Sequence, residues 1–269
     1  MPARLAPDKS RGYIVAVGTP LLADGEQQIA RRLLALCGQR PLLPLLHVGD
    51  LEAAGLDELD ATLMGLGAGR VPRIALTSRA EAERPQLLAM VENADAVLLA
   101  ALHPLQLSTL IGGTVLARLL RRRNADGMPL VGLGAGAVVL SEHMLAGGEA
   151  ALTPRLGGVT LAPGLGLTNR VVIDQGGAAS HRLGRLLGAL ALNPFALGLG
   201  IDAATAAFIG PDNVMEIVGH GGATVVDPSD VGASSVADAQ DHAPISITNL
   251  RLHVLARGAR YDLDFRRPL

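Results

Sequence analysis

The chain has no tryptophan, one cysteine and, among 269 residues, only two tyrosines and three phenylalanines. So few rings leave little to stack on bases, and a formal net charge of -2 supplies no basic field, so nucleic acid is excluded as a partner. A single thiol, Cys37, excludes an internal disulfide and any cysteine-rich zinc site. Lying in the apolar stretch 33–37, it reads as a small buried hydrophobe rather than a reactive group. His47, His143, His220, His242 and His253 show no short metal-binding spacing, so neither a metal nor another cofactor is expected. Residues 1–11 are polar, contain proline and lack the apolar centre of a secretory signal. They read as a disordered tail ahead of a single domain over 12–269, and a cytoplasmic location is expected.

What the chain has is aliphatic: 49% of it is hydrophobic, and its mean hydropathy is +0.35. A chain this long buries roughly 70–75% of its unfolded surface, so Leu, Val, Ile and Ala must build the core. The longest uncharged run, 96–117, matches the length of a membrane span. Pro104, Gln106, Ser108, Thr109 and the pair Gly112-Gly113 interrupt it, which predicts strand, loop and helix start instead, and no membrane association.

Short Val- and Ile-rich runs alternate with longer Ala/Leu/Arg segments at helical spacing, the pattern of an α/β domain with a mostly parallel sheet covered on both faces. Strands are predicted over 13–17, 42–46, 73–76, 96–99, 130–133, 171–173, 197–201, 206–209, 214–218, 223–226 and 246–256. Helices are predicted over 25–37, 52–66, 85–92, 105–123, 135–144 and 181–192. Residues 228–244, dominated by Asp, Ser, Ala and Gly, read as an exposed loop. Arg121, Arg122 and Arg123 sit where a helix C-terminus favours positive charge.

The segment Leu130-Val131-Gly132-Leu133-Gly134-Ala135-Gly136-Ala137 follows a predicted strand and opens a predicted helix. One reading is a dinucleotide fingerprint, with Gly132–Gly136 admitting a pyrophosphate to the helix N-terminus. The acidic residue that motif needs should end a second strand, and the nearest candidate, Glu149, does not. The other reading is a nucleophile elbow, a strained strand-to-helix turn, with Gly134 where the nucleophile would stand.

Several segments together carry a resemblance: Ala94-Asp95, Leu110-Ile-Gly-Gly-Thr114, Gly132 to Ala137, Pro163-Gly-Leu-Gly-Leu167, Val172-Ile-Asp-Gln175, Arg182-Leu-Gly-Arg-Leu186, Leu197-Gly-Leu-Gly-Ile-Asp202 and Gly222-Ala-Thr-Val-Val-Asp227. Over about residues 12–260 the chain resembles the cyanophycinases of the S51 serine peptidase family. The resemblance implies a three-layer α/β sandwich related to class I glutamine amidotransferases. It also implies a dimer cutting β-linked aspartyl-arginine units from cyanophycin.

The resemblance further places the family's serine at Gly134, its histidine at Gly176 and its glutamate at Ala203, and its glycine-rich substrate loop at Ala100-Ala-Leu-His-Pro104. A serine hydrolase needs a nucleophile, a base, a group orienting that base and oxyanion donors, and these positions supply no side chain for the first three. Of the family's substrate-binding stretch, Asp174, Gln175, Arg182 and Arg185 remain, and Ser180 replaces an arginine. Either these four hold β-aspartyl-arginine, or Asp174 and the arginines pair with one another at the strand-to-helix junction.

The expectation is a catalytically inactive relative that binds itself or an active paralogue, with cyanophycin or β-aspartyl-arginine as its ligand. Two alternatives stay open: a divergent hydrolase with its base relocated to His103 or His181, and a nucleotide-binding module using Gly132–Gly136. Ser108 and Ser141 are nearby hydroxyls, and Ser180 fits a helix N-cap.

Overall fold

A computed structural model describes residues 10–19, 27–51, 53–176 and 182–269. The strands are β1 (Ile14–Val17), β2 (Leu45–Val48), β3 (Arg73–Ala75), β4 (Val97–Ala101), β5 (Leu130–Gly134), β6 (His143–Gly148), β7 (Val159–Pro163), β8 (Val171–Gln175), β9 (Leu197–Ile201), β10 (Thr205–Ile209), β11 (Val214–Gly219), β12 (Ala223–Asp227), β13 (Arg251–Leu255), β14 (Arg260–Asp262) and β15 (Arg267–Pro268). The helices are α1 (Gln28–Cys37), α2 (Ala53–Gly65), α3 (Pro85–Glu92), α4 (Pro104–Ile111), α5 (Val115–Ala125), α6 (Ala135–Val138) and α7 (Leu183–Leu192).

Among the described residues, nine strands form one sheet in the order β15-β14-β11-β10-β1-β5-β4-β2-β3, and four form a second, β13-β12-β9-β8. Neighbours from β1 to β3 run parallel and those from β1 to β15 antiparallel, so the large sheet is mixed rather than mostly parallel. The reason lies in the connections. Helical crossovers join the early strands, whereas a short turn such as 210–213 returns the chain antiparallel.

The pleat divides each buried strand between two cores. Val15, Val17, Leu98, Val131 and Phe208 point to one face, where Ile29 and Leu33 of α1 and Leu59 and Leu63 of α2 cover them. Ile14, Ala16, Val97, Leu99 and Leu130 point to the other, against Leu87, Leu107, Leu116 and Leu120 of α3 to α5 and the inner face of the small sheet. Each such fully buried Leu, Ile or Val contributes about 1.5–3 kcal/mol, which is how a chain so poor in aromatics builds its interior. The uncharged run 96–117 is β4, α4 and the start of α5, and no helix among the described residues is long and apolar enough to cross a membrane.

Four sequence expectations need correction. The helix predicted over 105–123 is two helices, because Gly113 turns at φ 74° and Thr114 caps α5, accepting from Ala117 N at 3.3 Å. The helix predicted over 135–144 stops at Val138, and the chain extends into β6 from His143. The strand predicted over 246–256 is confined to Arg251–Leu255, and β7, β14 and β15 were not predicted at all. Residues 1–9 of the expected tail, 25–26 of the first predicted helix, Glu52, and Ser180 and His181 lie outside the described residues.

Candidate functional site

The glycine-rich segment builds a sharp corner. β5 ends at Gly134 with φ 56° and ψ -120°, and α6 starts at the next residue. This φ/ψ pair lies outside the left-handed α region and costs an L-residue about 1–3 kcal/mol, so glycine holds the turn without strain. The following turn packs directly on β4: a Cβ on Gly136 would stand 2.1 Å from the Leu99 carbonyl oxygen. All residues from Leu130 to Leu140 are buried, and α6 makes one helical turn.

Strand register brings the other two expected positions to the same edge. Val17 pairs with Leu133 and Ala101 with Gly134, so β1, β4 and β5 end together. Gly18 N donates to Thr205 O at 2.9 Å, which ties the end of β1 to the β9–β10 turn that carries the exposed Ala203. Gly176, at φ 86°, directly follows β8 and donates its N–H to Ile201 O at 2.8 Å, alongside the end of β9. Helix α6 contacts β1, β4, β5 and β8 and so lies between the two sheets at this point. The corner thus gathers Gly134, Gly176 and Ala203 on the carboxyl ends of β5, β8 and β9.

Asp202 and Thr205, beside this corner, are engaged in structure. Asp202 Oδ2 accepts from Gly222 N at 3.1 Å, and Thr205 Oγ1 donates to Ala203 O at 3.1 Å. Ser141 is fully buried, and its Oγ has no hydrogen-bond partner. His103, in the loop after β4, is exposed at the N-cap position of α4 and makes no capping hydrogen bond.

At the strand-to-helix junction Asp174 and the arginines pair with one another. Asp174 is 2% exposed, and Arg185 grips it with both arms: Nε donates to Oδ2 at 3.0 Å and Nη2 to Oδ1. Arg185 Nη1 reaches Gly148 O at 3.3 Å, so the same side chain ties β8 to β6. Arg182 Nη1 donates to Gln175 O at 3.0 Å and lies 3.8 Å from Asp174 Oδ1. Of the four expected ligand-holding residues, Asp174 is therefore internally satisfied, while Arg182 and Gln175 remain half-buried at the edge.

No protein-family model matches the chain. Against curated proteins, it is 35% identical over 199 residues to the cyanophycinase of Trichormus variabilis, which covers 74% of this chain and 67% of that protein. The cyanophycinase of Synechococcus elongatus is 36% identical over the same length, 74% of this chain and 62% of its own. That of Geminocystis herdmanii is 33% identical over 205 residues, 76% and 75% of the two chains.

The chain belongs to the cyanophycinase family.

Among solved structures, a peptidase from an acI-B1 Actinobacterium matches with a TM-score of 0.62 over 92% of this chain and 97% of that one. At 18% identity it speaks for the fold alone, a mixed α/β architecture around a large sheet. Two side chains deserve notice against this family background. Burial, with the nearby Asp95 charge adding to it, pushes the Cys37 thiol up to about 12, and its Sγ–H donates to Leu33 O at 3.3 Å, so it is no nucleophile. His47, at the end of β2, was not singled out as functional from the sequence, yet its Nδ1 is buried without a partner. A polar residue directly after an apolar strand core was the available signal.

Proposed function

We propose that the chain is a catalytically inactive cyanophycinase-like protein of the S51 type, on an amidotransferase-like scaffold, acting as a binding or partner subunit in β-aspartyl-arginine metabolism. The observation that carries this reading is the corner itself: the elbow turn is formed, and at its tip stands Gly134, with Gly176 and Ala203 at the neighbouring strand ends. None of the three supplies a group able to attack a carbonyl, take a proton or orient a base. The close packing of Gly136 on β4 and the single turn of α6 argue against a pyrophosphate site over Gly132–Gly136.

The purified chain is expected to release no β-aspartyl-arginine from cyanophycin above background, measured by chromatography of the soluble products. Turnover that survives repurification and vanishes in His103→Ala would overturn the reading in favour of relocated catalysis. The partner half is read by light scattering across a dilution series, alone and mixed with an intact cyanophycinase from the same genome. Dimers or mixed complexes are expected at micromolar concentration, and a monomer throughout would sink the subunit role.

A further inference from the structure

Two helices of single sign stand on opposite faces of the large sheet. In a chain whose net charge is only -2, α2 carries Asp57, Glu58 and Asp60 without Lys or Arg, and α5 carries Arg118, Arg121, Arg122 and Arg123 without Asp or Glu. α2 closes the core around Val15 and Leu98, and α5 the core around Leu99 and Leu130.

Neither helix uses up its charge inside the chain. Arg121 and Arg123 donate to the carbonyls of Leu165 and Ala94, at 3.3 and 3.0 Å, whereas Arg118 and Arg122, one turn apart, are exposed. Arg118 donates to the Gly113 carbonyl at 3.0 Å and has no carboxylate partner among the described residues. Arg122 pairs with Glu92 of α3 at 2.6 Å and is still 60% exposed. On α2, Arg73 takes Asp57 at 2.7 Å and Asp60 at 3.1 Å, while Glu58 has no ion-pair partner among the described residues.

Between α3 and α5 runs a groove with a cavity of about 440 Å³, lined by Arg118 and Arg122 and by the apolar Leu88, Ala89, Val115 and Leu119. Val115 is 37% exposed, so part of this lining has no cover. It lies apart in its residues from the corner of Gly134, Gly176 and Ala203. α2 presents the complement. With Leu56, Leu59 and Leu63 buried, Asp57, Ala61 and Met64 share its outer face at i, i+4 and i+7, with Glu58 alongside. Met64 is 45% exposed, an apolar side chain beside carboxylates, where the groove sets guanidinium groups beside leucines.

We propose that the groove between α3 and α5 receives α2 of a second copy of this chain. Ala61 and Met64 cover Leu88, Val115 and Leu119, and Glu58 meets Arg118. The two surfaces lie on opposite faces of one sheet, so the contact is head-to-tail, and each copy keeps a free groove and a free α2 for the next. Assemblies then grow with concentration instead of stopping at a pair. This proposal rests on the reading of the chain as a subunit and not on its loss of catalysis.

Light scattering on the full chain, from about 1 to about 200 µM, tests it. In low salt the average mass is expected to climb past that of a dimer, and to fall back in about 0.5 M NaCl, because exposed charges are screened. Arg118→Glu and Glu58→Arg should each weaken the growth at least about tenfold in concentration. Mixed together they should restore it, since each supplies the charge the other's surface now opposes. Both side chains are exposed, so both variants should keep the wild-type far-UV spectrum. A mass that stays constant, growth indifferent to Arg118→Glu, or a mixture that fails to recover would overturn the proposal. A fixed dimer untouched by either variant would do so while leaving the subunit reading in place.

Discussion

A buried carboxylate is safe only while its partner stays, and Asp174 shows how strictly this corner observes that rule. Arg185, 11% exposed, occupies both carboxylate oxygens. Replacing it with a neutral residue strands a charge in the interior. Arg185→Gln is therefore expected to cost about 3–5 kcal/mol in urea unfolding, and adding Asp174→Asn should recover part of the loss. The pair thus reads first as a tie between β8, α7 and β6, with Arg182 the guanidinium left nearer to solvent. Cys37 yields a second expectation at this scale. Its thiol, held protonated by burial, should react with a disulfide reagent at about pH 8 at least tenfold more slowly in the native chain than in the unfolded one.

At the scale of elements the elbow is the informative piece, because its backbone serves packing whatever stands at its tip. Gly136→Ala drives a methyl into the Leu99 carbonyl and should either prevent folding or lower stability by several kcal/mol, read by thermal melting. Gly134→Ser is expected to be milder, about 1–3 kcal/mol for its strained backbone conformation, and to bring no hydrolysis by itself. This turn was legible in the sequence, since only a tight corner asks for Gly-x-Gly-x-Gly straight after an apolar strand. The buried strands were legible for the same kind of reason: β9 carries the predicted ends, and α3 begins at its proline. The β6–β7 hairpin was not, because its first strand, HMLAGG, has no β-branched residue and is held extended by pairing with β7 around a bulge between Leu145 and Gly147.

Across the whole molecule, Asp227 joins the two sheets. It is fully buried at the end of β12, forms an ion pair with Arg251 of β13 at 3.0 Å and accepts a hydrogen bond from Arg266, in the turn between β14 and β15, at 2.9 Å. Burial opposes its charge, but the hydrogen bonds from Ser229 and Arg266 win and hold its pKa below the usual carboxylate range. A carboxylate with a depressed folded pKa adds stability that is present above the unfolded value, about 3.9, and is lost as pH falls through the folded one. The stability gap between wild type and Asp227→Asn should accordingly be widest near neutrality and close in acid below that range, as urea titrations at several pH values would register. The same part of the fold is sewn rather than docked. From β9 the chain leaves the small sheet for β10 and β11 of the large one, then returns through 220–222 to β12. Neither sheet holds its full complement of strands until the other has taken shape. No single cut between Leu197 and Asp227 would release two autonomous lobes, and assembly must wait on pairings distant along the chain, such as β1 with β10. Slow folding in one concerted step is the kinetic signature such stitching should leave, with amide protons of β9 to β12 exchanging together through global opening rather than sheet by sheet.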